Sequence, residues 1–393
     1  MSKKQLGQFF TTEADYIFQG FDKYIAGKKV FDPFAGAGDL LEWASHHGAE
    51  NIIGYDVDQR YTDGERVIFN DSLLNSGQYE FVLTNPPYLN VNKADKLTKE
   101  KYFLNSGYED LYQISLDAIL NSQEGIVIVP INFLSAENSK KIRNKFFSKF
   151  EILEMNYFRH QVFRDTTYNV ISFYYRQKEN PLKSSIDIKT TFFPSKEKAI
   201  INLDQRHHWT IGGSALADIR KQENLLKIYR LAEEHLEPGE SKIRGAYTHI
   251  KQQKTFKVHS NLKKKIGSNI LLLRAIDSGR PEGKIRLEDL REYGISCLVS
   301  KETSRNMIQL IIDQEVPIDH QKKLIKLFNT TLNQLRSQHA SLFLTNFRDN
   351  DRKRISFNFA YKLINYLYFT KLSKTPSLFD ESVDKEKLRA CSG

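Results

Sequence analysis

In the stretch TNPPYLN, residues 84–90, one polar side chain, Asn85, follows the apolar run YEFVL and precedes two prolines and a tyrosine. Proline has no backbone N–H, so a strand that runs into Pro86 and Pro87 stops pairing and turns its last carbonyls towards something else. The Asn85 side-chain oxygen and the Pro86 carbonyl then form two converging acceptors at a rim stiffened by Pro87. An amino group with two N–H bonds fits that point. Aromatic amino nitrogens are poor nucleophiles because the lone pair is delocalised into the ring. Holding both hydrogens draws the nitrogen towards a pyramidal geometry and frees the lone pair to attack a methyl sulfonium in line, with Tyr88 stacked on the ring face. No covalent enzyme intermediate is needed, and neither cysteine has a Pro-Cys nucleophile setting.

Upstream, three acids stand at or just after apolar runs. FDPFAGAGDLL (31–41) places Asp32 and Phe34 before Gly36 and Gly38, whose missing side chains let a ligand approach a strand-to-helix turn. The Lys-Ser/Thr pair of a phosphate loop is absent, and the spacing differs from the dinucleotide fingerprint. Asp32 suits an amino or ammonium group. In GYDVD, Asp56 is placed to accept from ribose hydroxyls; in FNDS, Asp71 is placed to accept from an exocyclic amino group. Each acid alone also reads as a helix cap or a solvated loop residue. Together they outline a nucleoside pocket without phosphate-binding features, as expected for S-adenosyl-L-methionine rather than NAD or ATP. No metal-ligand pattern accompanies them.

These residues need a scaffold that brings strand ends together. Runs such as KKVFDPF, NIIGYDV, RVIFN, YEFVLTN and EGIVIVPI alternate with helically spaced AGDLLEWASHHG, DLYQISLDAILNS and AENSKKIRNKFFSKF. That alternation predicts βαβ units, a mainly parallel sheet and ligands beyond the C-terminal strand ends. The fold class expected is α/β, a Rossmann-like domain followed by a mixed α/β domain. The expected boundaries are 1–182 for the first, 190–375 for the second and 376–393 for a frayed tail. A helix is expected in LADIRKQENLLKIYRLAEEHL (216–236), and the polar, lysine-bearing segment after the tetrad is expected to close over substrate.

The 393 residues carry a formal net charge of +10. Residues 240–370 hold about two dozen Lys and Arg against about a dozen Asp and Glu, enough to supply the surplus. A basic module beside a near-neutral one points to a polyanion, most simply nucleic acid. Cys297 and Cys391 exclude a disulfide framework and a structural zinc site. With no signal-peptide h-region and no long apolar run, a cytoplasmic protein without a membrane span is expected.

The order GQFFTT, DPFAGAG, GYDVD, TNPPY, followed by a basic C-terminal region, resembles the gamma group of DNA adenine-N6 methyltransferases of restriction-modification systems. The likeness covers about residues 5–178. It implies transfer of the methyl group of S-adenosyl-L-methionine to an adenine flipped out of double-stranded DNA. Asn85, Pro86, Pro87 and Tyr88 would form the catalytic tetrad. Thr11, Asp32 and Phe34 would line the methionine portion of the cofactor, with Gly36 and Gly38 in the turn. Asp56 with Val57 would take the ribose, and Asp71 with Ser72 the adenine. Phe163 in RHQVFRDTTYNVISFYY matches the aromatic that packs on the other face of the base, with Tyr168 nearby. The group commonly has Pro after the Thr of its first motif; here Thr12 follows Thr11.

The resemblance makes the second domain a target-recognition domain in which Lys263, Lys264, Lys265, Arg352, Lys353 and Arg354 are collective phosphate candidates. No P-D-x-D/E-x-K run is present, so cleavage would need a separate cognate restriction endonuclease, and a monomer is expected because an asymmetric two-domain clamp around DNA needs no symmetry. The tetrad also occurs in RNA adenine and protein glutamine methyltransferases. Glutamine enzymes usually carry their extra domain before the catalytic one; charge alone does not separate RNA from DNA.

Overall fold

The apolar runs of the first half become strands β1 (Lys29–Asp32), β2 (Asn51–Asp56), β3 (Val67–Phe69), β4 (Tyr79–Thr84), β5 (Ser122–Pro130), β6 (Phe150–Phe158), β7 (Val170–Gln177), β8 (Ser185–Phe193) and β9 (Glu197–Asp204). They form one nine-stranded sheet in the order β3-β2-β1-β4-β5-β7-β6-β8-β9. The pairs from β3 to β5 are parallel, and β7 joins antiparallel to both β5 and β6. This computed structural model describes residues 11, 13–163, 169–277, 284–339, 342–346 and 352–373. The GQFF run, Thr12, Tyr168 and the expected tail lie outside them. Among the described residues no helix is long and apolar enough to cross a membrane.

Val30, Phe81, Val82, Leu83 and Ile126 to Val129 are buried at the sheet centre. The helices Asp39–His46, Leu111–Ala118 and Lys140–Lys149 bring Leu40, Trp43, Leu116, Phe146 and Phe147 into the same core. Each such side chain contributes about 1.5–3 kcal/mol when withdrawn from water. Arg143, on the last of these helices, is fully buried. Its guanidinium donates to the carbonyls of Phe133 (3.0 Å), Ala136 (2.5 Å) and His208 (3.0 Å) and to Thr210 Oγ1 (3.0 Å). Backbone carbonyls and a hydroxyl thus accept from the buried cation.

The first compact unit runs to Ala215 and includes the described part of 338–354. It therefore extends past the expected boundary at 182. β8 pairs parallel with β6, and β9 pairs antiparallel with β8, so the chain continues the sheet where its strand-helix alternation ends. The small hairpin of β17 (Thr345–Asn346) and β18 (Lys353–Arg354) belongs to this unit too. Lys353 is buried there, its Nζ donating to Tyr157 Oη at 2.9 Å and lying 5.4 Å from that ring's centre. An ammonium so placed is a packing element, which removes Lys353 from the phosphate candidates; Arg352 and Arg354 are half-buried.

The second unit comprises 216–277, 281–337 and the chain from 355, within the described residues. It holds two sheets. One has the order β10-β16-β13-β14, from β10 (Ile228–Arg230), β13 (Leu271–Arg274), β14 (Arg286–Asp289) and β16 (Met307–Ile312). The other has the order β12-β11-β15, from β11 (Ser241–Tyr247), β12 (His249–Val258) and β15 (Cys297–Val299). The helix expected over 216–236 stops at Lys221. The Asn224 side chain closes a turn by accepting from Ile228 N (2.9 Å) and donating to Ile228 O (2.8 Å), and Ile228 to Arg230 pair with β16 instead. Tertiary pairing here overrides a helical sequence pattern.

Candidate active site

The order β3-β2-β1-β4 arrays four chemical groups along one edge of the sheet. Asp71 lies two residues beyond β3, Asp56 and Asp32 end β2 and β1, and Asn85 is the first residue beyond β4. Parallel register keeps the ends level, with Asp32 opposite Gly54 and Asp56 opposite Phe69. Gly54 has its own packing role: a Cβ there would stand 2.7 Å from both the Ala35 and Leu41 side chains, so the turn after β1 rests directly on β2.

That turn is held by one carboxylate. Gly36 N donates to Asp56 Oδ2 (2.8 Å) and Asp58 N to Asp56 Oδ1 (2.7 Å). Gly36 and Gly38 adopt φ +52° and +87°, which L side chains rarely adopt, and Gly38 opens the helix Asp39–His46. Burial raises the Asp56 pKa, opposed by the donating amides. Asp32 is fully buried, and its Oδ1 accepts from Thr84 Oγ1 (2.6 Å) and Phe34 N (3.0 Å). Desolvation pushes its pKa up to about 7, with the nearby Asp56 and Asp39 carboxylates adding to the rise and the two donors opposing it. Thr84, which ties the end of β4 to the end of β1, was not assigned a role from sequence.

At the tetrad, Asn85 Nδ2 donates to Thr11 Oγ1 (3.1 Å), joining the N-terminal motif to the β4 end. Tyr88 is buried. Its hydroxyl lies 2.6 Å from Asn85 Oδ1 and 2.9 Å from the Ile128 carbonyl, and its ring packs edge-on to Tyr112 with centroids 6.4 Å apart. Its ring belongs to the hydrophobic core of the first unit in this conformation. Phe163 is likewise buried in the core rather than presented to the cleft.

A cleft of about 780 Å³, counting open solvent at its mouth, brings together Thr11, Asp32, Phe34, Gly36, Asp56, Val57, Asp71, Ser72, Asn85 and Pro87. Of the expected set, Gly38, Pro86, Tyr88 and Phe163 do not line it; Gly38 shapes its turn and Pro86 links two residues that do. Sequence reasoning missed the apolar walls Leu40, Leu73 and Leu111, and also Tyr102. Leu40, two residues after Gly38, was within reach of a reading by helix start. Tyr102 was not, because it arrives from the segment after the tetrad.

That segment is ordered rather than an open loop. Val91–Lys93, Lys96–Thr98 and Lys99–Phe103 form successive short helical turns, and Leu89, Ala94, Tyr102, Phe103 and Leu111 make a small core of their own. Tyr102 Oη donates to Asp71 Oδ2 at 2.9 Å, and Lys101 Nζ lies 2.7 Å from the same oxygen. The segment thus packs against the acid of β3.

Four carboxylates, from Asp32, Asp39, Asp56 and Asp71, line the cleft with apolar walls, and among the described residues no Lys or Arg lines it, Lys101 reaching only Asp71 of the four. A polyphosphate would meet like charge there. A ligand bearing a cation, hydroxyls and an amino group on a planar ring meets acceptors, which fits S-adenosyl-L-methionine.

Residues 36–163 match the Eco57I restriction-modification methylase family. No curated protein matches the chain in sequence. Among solved structures, the type IIL restriction-modification enzyme MmeI in complex with DNA is 13% identical, with 92% of this chain and 68% of that one covered and a TM-score of 0.54. A modification subunit ascribed to a type I restriction enzyme from Vibrio vulnificus YJ016 is 16% identical over 49% of each chain (TM-score 0.38). The type I restriction-modification methyltransferase subunit from Streptococcus thermophilus is 14% identical over 47% of each (TM-score 0.35). The chain thus spans about half the length of these last two. The likeness to MmeI shows a shared fold.

Proposed function

We propose, from the match of residues 36–163 to the Eco57I restriction-modification methylase family, that this protein is a site-specific DNA adenine-N6 methyltransferase that uses S-adenosyl-L-methionine. One observation carries the reading: Asp71, Asp56, Asp32 and Asn85 emerge in that spatial order from adjacent strand ends and line a single cleft. Asp71 and Ser72 would take the cofactor's adenine, Asp56 and Val57 its ribose, and Thr11, Asp32 and Phe34 its amino-acid end. Leu40, Leu73, Leu111 and Tyr102 would exclude water around it. When bound, the cofactor supplies an electrophilic methyl group.

The chain's own contribution is to the target amine. Asn85 Oδ1 and the Pro86 carbonyl accept its two hydrogens, localise the lone pair on nitrogen and hold it towards the cleft. A base inside a duplex cannot reach these acceptors, so the adenine flips out, at a cost of a few kcal/mol in unstacking. Stacking on Tyr88, once that ring leaves its contact with Asn85, offsets the cost. Thr11 orients the Asn85 amide so that its oxygen, not its nitrogen, meets the donor. The proton lost by the amine passes to solvent. The second unit would recognise the target, and the fold shared with MmeI, which was solved with DNA, supports DNA as substrate. A cognate endonuclease and a monomeric state belong to the same proposal.

The test is single-molecule sequencing of genomic DNA from a methylation-free bacterial host expressing the chain. N6-methyladenine confined to one short motif is the expected result. An unmodified genome, with transfer to RNA by the purified protein, would replace DNA by RNA in this reading.

A further inference from the structure

Strands β11 and β12 form an antiparallel ribbon in which Lys242 pairs with Lys257, Ile243 with Phe256, and Arg244 with Thr255. Side chains of paired residues share a face. One face carries Ile243, Phe256 and Val258, buried in a core with Cys297 and Val299. Gly245 fits beneath, since a Cβ there would meet the Cys297 sulfur. The opposite face carries Lys242, Lys257, Arg244, Thr255 and Gln253, all exposed, and ends at Ala246, which pairs with Gln253 and is buried in a neighbouring core. Residues 241–258 hold five Lys and Arg and no Asp or Glu.

Two like charges directly opposite one another weaken a sheet. Lysines on the edge strand β12 also discourage strand-to-strand aggregation, as does Lys242, because β15 pairs with β11 only over Gly245–Tyr247; that role does not account for Arg244, whose carbonyl already accepts from Ser296 N. Elsewhere in this unit four cations are paired with carboxylates: Lys265 with Asp313, Arg274 with Glu288, Arg291 with Asp289 and Arg336 with Asp277. Among the described residues none of the five ribbon cations has such a partner. Arg244 is instead oriented by a neutral acceptor, its Nη2 donating to Gln253 Oε1 at 2.7 Å. Lys263 and Lys264, on the helix Ser260–Gly267 that follows β12, extend the exposed charge.

We propose that the β11–β12 ribbon is a duplex-DNA binding element, its exposed face entering the major groove. This rests on the reading of the protein as a DNA methyltransferase and names the surface that holds the substrate. The major groove of B-form DNA, about 12 Å wide, admits a two-stranded ribbon, whereas the A-form RNA major groove is too narrow for side chains to read. Lys242 and Lys257 contact phosphates on this assignment, and Arg244 and Gln253 face base edges.

The experiment compares the full chain with a ribbon variant, Lys242→Gln/Arg244→Gln/Lys257→Gln. A control variant, Lys322→Gln/Lys323→Gln/Lys326→Gln, loses the same charge from exposed positions on the helix Ile318–His339. Fluorescence anisotropy measures binding to a mixed-sequence DNA duplex across a salt series. Calorimetry with the cofactor analogue sinefungin reports whether each variant retains its cofactor site. The ribbon variant is expected to bind DNA at least tenfold more weakly, its log-log salt slope falling by up to about 3, at about 0.9 per phosphate contact. The control variant and sinefungin binding are expected to be unchanged. Equal losses in both variants, or none in the ribbon variant while the unmodified chain binds DNA, would overturn the ribbon assignment alone. Equal binding of duplex RNA with equal loss in the ribbon variant would overturn DNA as the occupant. An unmodified chain that binds sinefungin but no nucleic acid would overturn the functional reading and the ribbon with it.

Discussion

The Tyr88 hydroxyl stands 2.6 Å from the Asn85 side-chain oxygen, so one member of the tetrad occupies the acceptor that another would offer to substrate. Its single proton is shared with the Ile128 carbonyl, 2.9 Å away. Tyr88→Phe removes this donor but keeps the ring. It is expected to leave methyl transfer within a few-fold of the unmodified enzyme and to cost about 1 kcal/mol of stability. Tyr88→Ala also removes the stacking face and is expected to lower kcat/KM by about tenfold to a hundredfold or more. Steady-state kinetics of the two variants separate ring from hydroxyl. Equal losses would assign the function of Tyr88 to its hydroxyl.

Asn85→Ala deletes one of the two acceptors while leaving the acids at the other strand ends in place. Transfer is expected to fall by about 10²- to 10³-fold, the usual effect of removing one oriented polar group at a reacting centre. Sinefungin affinity, read by calorimetry, should change little. Full activity in this variant would refute the amine-holding role.

Asp32 gives the apo protein a definite pH dependence. Its pKa is about 7 in the fold and 3.8 in the unfolded chain. Between these values the native state binds the extra proton, so this group's contribution to stability is greatest below about pH 4 and declines as pH rises to about 7. Asp32→Asn keeps a neutral acceptor for Thr84 and Phe34. Denaturant unfolding at pH 5 and pH 8 should show the unmodified chain losing on the order of a few kcal/mol relative to this variant. A cationic ligand favours ionised Asp32, so sinefungin binding at pH 6 should release a proton, detectable by calorimetry in buffers of different ionisation enthalpy. Identical pH profiles for the two proteins would contradict the assignment.

Tyr102 closes the cleft beside Asp71. Tyr102→Phe removes the 2.9 Å hydrogen bond but leaves Lys101 on the carboxylate. The expected loss of sinefungin affinity is about fivefold, equivalent to about 1 kcal/mol. Tyr102→Ala also opens an apolar wall and should lose more. Unchanged affinity in both variants would place the segment 89–110 outside the cofactor site.

Arg143 holds three carbonyls and a hydroxyl around a fully buried guanidinium. Arg143→Met fills similar space but strands those acceptors without water. A loss of about 3 kcal/mol or more is expected in denaturant unfolding. A loss under about 1 kcal/mol would mean that the loops rearrange to satisfy themselves.

The sequence by itself determined which polar residues stand at the strand ends. Asp32, Asp56, Asp71 and Asn85 each follow a short apolar run, and strands in such a fold present ligand groups at their C-terminal ends. That rule is local, because it needs only the period of the pattern and the residue at which it breaks. The absence of the Lys-Ser/Thr pair of a phosphate loop after Gly38 likewise follows from residue types alone. Contacts between segments distant in the chain were decided only by the tertiary structure. The continuation of the sheet through β8 and β9 depends on pairing with β6, and the early end of the helix at Lys221 on pairing with β16. Tyr102 on Asp71, Lys353 under Tyr157 and Tyr88 on Asn85 each pair a polar tip with a partner that no spacing rule specifies. A charge in a basic run or an aromatic in a motif has several low-energy destinations, and packing against the rest of the chain selects among them.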